Sequence, residues 1–176
     1  MNLHKSKLLP ALALAAAAAG TFVPAAHAVG VNQPAPAFSL PREGGGTASL
    51  DGLAGHVVYL DFWASWCGPC RQSFPWMNEI QAKYAARGLR VVAVNVDARQ
   101  SDAEGFLAQI PAQFTVAFDP KGDTPRLYQL KGMPTSFLIN PDGMVLAVHQ
   151  SFHEEDRKAL EASIEAALDA HPEARP

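Results

Sequence analysis

Residues 57–70 read Val57-Val58-Tyr59-Leu60-Asp61-Phe62-Trp63-Ala64-Ser65-Trp66-Cys67-Gly68-Pro69-Cys70. From His56 to Trp63 the chain is β-branched, aromatic or aliphatic almost throughout, and such a continuous apolar run fits a strand buried on both faces. After Cys70 the apolar residues Phe74, Met77, Ile80 and Tyr84 fall on one side of a helical pattern, which Gly88 ends. The segment therefore reads as strand, turn and helix, with two cysteines at the turn. Residues 89–96 repeat the buried-strand pattern, so 57–96 form a strand–helix–strand unit whose crossover should be right-handed. An α/β fold with a parallel strand pair at its centre is the reading this stretch dictates.

The spacing of the cysteines carries chemistry. A CxxC pair where a strand feeds a helix puts the first sulfur at the helix N-terminus, where unsatisfied N–H groups and the helix dipole favour an anion. Cys67 is thus the more thiolate-like, and Cys70, one turn inside the helix and shielded, is placed to attack a mixed disulfide formed on Cys67. Gly68 lets the turn form, and Pro69 enters the first helical turn without needing an N–H. A cross-link between residues three apart constrains the unfolded chain little, and a domain of about 150 residues buries enough surface to fold without one. The other common use of a CxxC is half a zinc site. Its second pair of ligands is missing here, because Cys67 and Cys70 are the only cysteines and His149 and His153 lie far down the chain at a strand end. No metal and no cofactor beyond the Cys67–Cys70 disulfide are expected, and the histidines otherwise read as ordinary surface or loop residues.

Working outward, the ends and the charge narrow the class. Lys5 and Lys7 precede an almost unbroken apolar run over 8–23, and Ala26-His27-Ala28 is a small-x-small cleavage site, so 1–28 read as a signal peptide and 29–176 as one mature domain. The alternative is an uncleaved leader acting as an inner-membrane anchor, against which stand the run's short length, its alanine content and Pro10. The net charge is −3, with 14 scattered Lys and Arg against 17 acids, which offers no stripe to neutralise phosphates and excludes nucleic acid as partner. Residues 29–47, with Pro34, Pro36, Pro41 and Gly44-Gly45-Gly46, read as an extended lead-in and a hairpin turn or loop. Further elements follow in order: a helix over 101–109 opened by a Ser101-Asp102-Ala103-Glu104 capping box, a strand over 114–118, a brief helix over 124–130, an antiparallel hairpin from 136–139 and 144–149, and an amphipathic helix over 154–170.

The segment from Leu60 to Cys70 resembles the thioredoxin active-site segment almost residue for residue. Together with the leader, the helical segment before Pro134, and Pro134-Thr135-Ser136-Phe137-Leu138-Ile139-Asn140-Pro141-Asp142-Gly143, it is similar to the TlpA/ResA-like thioredoxins of bacterial envelopes over about residues 35–168. The resemblance implies a thioredoxin fold: a central mixed sheet flanked by helices, with an N-terminal β-hairpin extension and a helical insertion before the cis-proline. It also implies Cys67 as nucleophile, Cys70 as resolving thiol, Asp61 as the buried acid beneath them and Pro75 as the proline that kinks the catalytic helix. Pro134 matches the cis-proline opposite the cysteines, with the backbone of Met133 pairing with an extended substrate segment and Thr135 following at the start of a strand. Trp66, beside Cys67, shapes the docking surface. On the residues alone, a lone carboxylate inside Tyr59-Leu60-Asp61-Phe62-Trp63 is hard to place except buried near something reactive, with a raised pKa.

The expected activity is that of a periplasmic dithiol reductase of cysteine-containing protein substrates, a monomer kept reduced by a membrane thiol donor. A link to cytochrome c maturation is implied by the resemblance, although Thr135 stands where members dedicated to that role often carry Glu. Ser73 and Ala93 occupy places where relatives carry an acid or a lysine near the pair. A net disulfide oxidase is the alternative enzyme, and a copper metallochaperone on the same fold is the rival from another class. A peroxidase is disfavoured by Ala64, which replaces the expected Thr.

Overall fold

The computed structural model describes Met1 and residues 29–174. The leader reading of 1–28 thus lies, Met1 apart, outside the described residues. Among those described, no helix is long and apolar enough to cross a membrane.

The chain opens with a hairpin of β1 (Ser39–Pro41) and β2 (Thr47–Ser49). Its turn runs through Gly44, Gly45 and Gly46, all at φ between 75° and 91°, a region closed to most L side chains. There follow β3 (Val57–Trp63), α1 (Gly68–Tyr84), β4 (Leu89–Asn95), α2 (Gln100–Leu107), β5 (Thr115–Phe118), α3 (Asp123–Leu127), β6 (Thr135–Ile139), β7 (Val145–Gln150) and α4 (Arg157–Ala170). A five-stranded sheet runs in the order β5-β4-β3-β6-β7. β3, β4 and β5 are parallel, whereas β6 pairs antiparallel with β3 and β7 antiparallel with β6. This is the mixed, helix-flanked sheet of the thioredoxin fold.

β3 is buried at every position because both faces of the sheet are covered. Tyr59 and Trp63 point to the side of α1, α2 and α4, and Val58, Leu60 and Phe62 point to the side of the hairpin and Tyr128. On the first side Trp63 and Phe106 each meet a ring partner at 4.7 Å, Phe74 lies 4.9 Å from Phe106 and 5.3 Å from Phe114. Edge and tilted pairs of this kind add about 0.5–1.5 kcal/mol each beyond their area. The helix after the cysteines ends as expected, through a short 3-10 turn to Gly88 at φ 97°.

The capping box expected at Ser101 is not made. α2 begins at Gln100 with Arg99 at the cap position and no side-chain cap bond. Arg99 instead grips Asp102 through two hydrogen bonds of 3.0 and 2.9 Å, which places Ser101 inside the first turn. The last helix also begins later than its periodicity suggests, since Glu154–Asp156 form a 3-10 turn before α4. The segment before β3 reaches both edges of the sheet: Asn32 N donates to Val145 O and Val145 N to Gln33 O, while Glu43 N donates to Val116 O on β5.

Candidate active site

β3 delivers the chain to the cysteines and α1 receives them. Cys67 is the N-cap of α1, and Pro69 lies in its first turn. The Cys70 backbone N–H donates to the Cys67 sulfur at 3.3 Å, one of the orphan donors of the helix start spent on the first sulfur. The two cysteines are joined in a disulfide, with Cα atoms 5.3 Å apart. Both are buried, Cys70 completely. Around them Gly68 and Pro69 are exposed, and Trp66 is 71% exposed, so an indole lies on the surface beside the pair. Pro75 lies inside α1, as the resemblance implies.

The turn is held from below. Asp97 accepts from Ser65 N at 2.8 Å, from Ser65 Oγ at 3.0 Å and from Asn95 Nδ2 at 2.8 Å. Its carboxylate therefore fixes both the backbone and the side chain of the residue two before Cys67. The sequence reading missed Asp97 and Asn95, because nothing in their spacing marks them before the end of β4 is brought against Ser65.

Pro134 follows a cis Met133–Pro134 peptide bond. β6 starts across from the end of β3, with Thr135 opposite Phe62, so Pro134 and Met133 flank the turn that carries the cysteines. Met133 is half-buried and packs on the same cluster as Cys67 and Cys70. Thr135 Oγ1 donates to Gly132 O at 2.8 Å and Ser151 N donates to Pro134 O at 2.8 Å, which pins this loop from both sides.

Asp61 is 2% exposed in the middle of β3, with Ala93 opposite it on β4 and Ser136 opposite it on β6. It shares a sheet face with Tyr59 and Trp63, the face that α1 and Cys70 cover. Its Oδ2 has no hydrogen-bond partner. Burial alone holds its carboxyl well above the usual carboxylate range. Tyr59 is also pushed up, first by burial and then by the charge of Asp61, partly offset by its bond to Ser136. Ser73 is buried and donates from Oγ to Cys70 O, so it supplies no second acid. His149 departs from the surface reading of the histidines: it is half-buried on β7, opposite Ser136, and its Nε2 is buried without a hydrogen-bond partner. Among the described residues no group of three or more His, Cys, Asp or Glu is placed to hold a metal ion.

A disulfide at the N-terminus of a helix, on a thioredoxin fold and beside a cis-proline loop, defines a thiol–disulfide oxidoreductase. The chain belongs to the Redoxin family, whose model matches residues 30–168, and within it is a TlpA/ResA-like enzyme. A thiol-disulfide oxidoreductase ResA of Bacillus thuringiensis is 34% identical over 116 residues, 66% of this chain and 67% of the relative. A ResA of Bacillus cereus is 33% identical over 135 residues, 77% of each chain. A solved structure assigned as thiol:disulfide interchange protein DsbE from Chlorobium tepidum is 62% identical, covers 80% of this chain and 99% of its own, and superposes with a TM-score of 0.78.

Proposed function

We propose that this oxidoreductase works as a dithiol reductase of protein disulfides outside the cytoplasm. The observation that carries the reading is the asymmetry of the pair: Cys67 caps the helix and accepts the Cys70 N–H, while Cys70 is fully buried on the face that holds Asp61. In the reduced protein, the Cys67 thiolate attacks one sulfur of a partner disulfide. The partner's S–S bond breaks and its other sulfur leaves as a thiolate that takes a proton from water. Asp61 then accepts the Cys70 proton, Cys70 attacks the Cys67 sulfur, and the partner's second sulfur leaves. Two electrons pass to the partner and the Cys67–Cys70 disulfide remains, the state the structure holds. A thiol donor in the membrane restores the dithiol.

Trp66, Gly68 and Pro69 form the docking face, and the backbone of Met133 before Pro134 pairs with an extended partner segment ahead of Thr135. Export rests on the leader reading of 1–28, with cleavage after Ala28. The test is a Cys70→Ser variant in the native envelope, where Cys67 attacks and cannot release. Partners then accumulate as mixed disulfides, and their identity decides whether apocytochrome c with its own CxxCH pair is among them. Trapping by Cys67→Ser and none by Cys70→Ser would reverse the roles. A reduction potential near the thioredoxin value of about −270 mV supports the reductase direction, and one near about −120 mV supports an oxidase.

A further inference from the structure

A buried base that takes a proton in each cycle must also lose it. Toward the docking face Cys67 and Cys70 are themselves buried, and a partner bonded to Cys67 would cover them further. The register of the sheet opens another direction. Asp61 lies opposite Ser136, and Ser136 opposite His149, so three polar side chains leave one face of β3, β6 and β7 in a row. Directly opposed neighbours of this kind stand about 5 Å apart at Cβ. Tyr59, one step along the same face, donates from its hydroxyl to Ser136 Oγ at 2.8 Å. Because Ser136 accepts there, its own hydroxyl hydrogen is free to be given elsewhere.

Beside Ser136 a cavity of about 140 Å³ lies between β6, β7 and α4, lined by Tyr59, Ser136, His149 and Asp156 with apolar residues of α4. Its lining is mostly apolar, but it is roomy enough for water, and the hydroxyls, imidazole and carboxylate on its wall give that water polar partners. At its other side His149 Nε2 stands 3.5 Å from Asp156 Oδ2, and both side chains are about one third exposed. The row thus starts at a buried oxygen without a hydrogen bond, Asp61 Oδ2, and ends at a buried nitrogen, His149 Nε2, that faces the Asp156 carboxylate without a hydrogen bond. The titratable groups facing the cavity are Tyr59 from β3, His149 from β7 and Asp156 from the turn before α4, and α4 contributes none. Tyr59 is held neutral by its burial, which makes it a fixed donor rather than a carrier.

We propose that Ser136 and His149 are relay residues that carry the proton Asp61 takes from Cys70 on to solvent through this cavity while Cys70 resolves the mixed disulfide. The inference rests on Asp61 being the base for Cys70. Asp61 gives its proton toward Ser136 Oγ as that hydroxyl hands its own hydrogen to cavity water and on to His149 Nε2, which releases it beside Asp156. Only O–H and N–H bonds change, and no electrons move.

The test follows the second step alone, as decay of a mixed disulfide preformed on Cys67, with the first attack as internal control. In Ser136→Ala and in His149→Ala the decay should slow about tenfold, less than for loss of the base itself because water remains a poorer carrier. The solvent deuterium isotope effect on that step should rise in both variants, and free imidazole should restore the rate of His149→Ala. Neither readout moves for a merely structural defect. Since Ser136→Ala leaves the Tyr59 hydroxyl unpaired, Ser136→Ala combined with Tyr59→Phe repeats the test with both partners removed. Decay within about twofold of wild type in these variants, with Asp61→Asn still slowed by roughly 10²-fold, would overturn the relay and leave the base standing. Wild-type decay in Asp61→Asn would remove the base and the relay with it.

Discussion

Asp61→Asn tests the burial of the acid in a quantity independent of turnover. The amide keeps the shape of the side chain and removes its charge. Asp61 is 2% exposed between Ala93 and Ser136, and burial is the cause of its raised pKa. The sign follows from linkage. The folded carboxyl titrates above its unfolded value of about 3.9, so between the two values the native state holds more protons than the unfolded one. Unfolding free energy therefore falls as pH rises through that window, by up to about 1.4 kcal/mol per pH unit, and levels off above the folded value. Below the unfolded value the penalty is absent. Asparagine removes this slope but leaves a buried amide short of partners, at about 1–3 kcal/mol, so the variant should be the less stable protein at about pH 4 and should gain on wild type as pH rises toward 8. Guanidinium unfolding of both proteins from about pH 4 to pH 8 reads it as a midpoint shift at constant m-value. Both are kept oxidised, so that the cysteines do not titrate. Parallel pH profiles would refute the argument.

Two further expectations follow from contacts around the pair. Asp97→Ala strips Ser65 of two acceptors and Asn95 of one; it should cost about 3 kcal/mol and slow the first attack by Cys67, with Asp97→Asn recovering part of both, as thermal melts and stopped-flow reduction would show. Phe74→Ala empties the centre of the ring cluster with Trp63, Phe106 and Phe114 and should lower stability by about 3–5 kcal/mol; a loss under about 1 kcal/mol would mean the cluster collapses to fill the space.

The reactive strand–turn–helix unit was legible because its signals are local. A continuous apolar run, a CxxC and a helical period announce β3, the disulfide turn and α1 without reference to anything distant. The resemblance carried Pro134 to its place beside the pair, and Ala93 proved to lie opposite Asp61, with no lysine there. What escaped depends on register and on loops folding back. Ser136 and His149 become neighbours of Asp61 only through the pairings of β6, and Asp97 finds Ser65 across 32 positions of chain. Histidine on a strand end read as surface because one residue more or less of register decides which face it takes. The capping box failed for a related reason: a match to the pattern at Ser101 lost to the charge pair between Arg99 and Asp102.

The residues before β3 have a consequence for life among other chains. Gln33 and its neighbours bond to the first residue of β7, and Arg42 and Glu43 bridge to β5, so one continuous segment guards the two outer strands of the sheet. Unguarded strand edges are templates for any extended polypeptide that drifts past. On the proposed reading, this protein meets extended cysteine-bearing segments as its ordinary business and offers them a pairing surface at Met133. An open edge would compete for those same segments, holding them where no sulfur can reach them. Breaking those edge bonds would therefore show as self-association and unproductive stickiness.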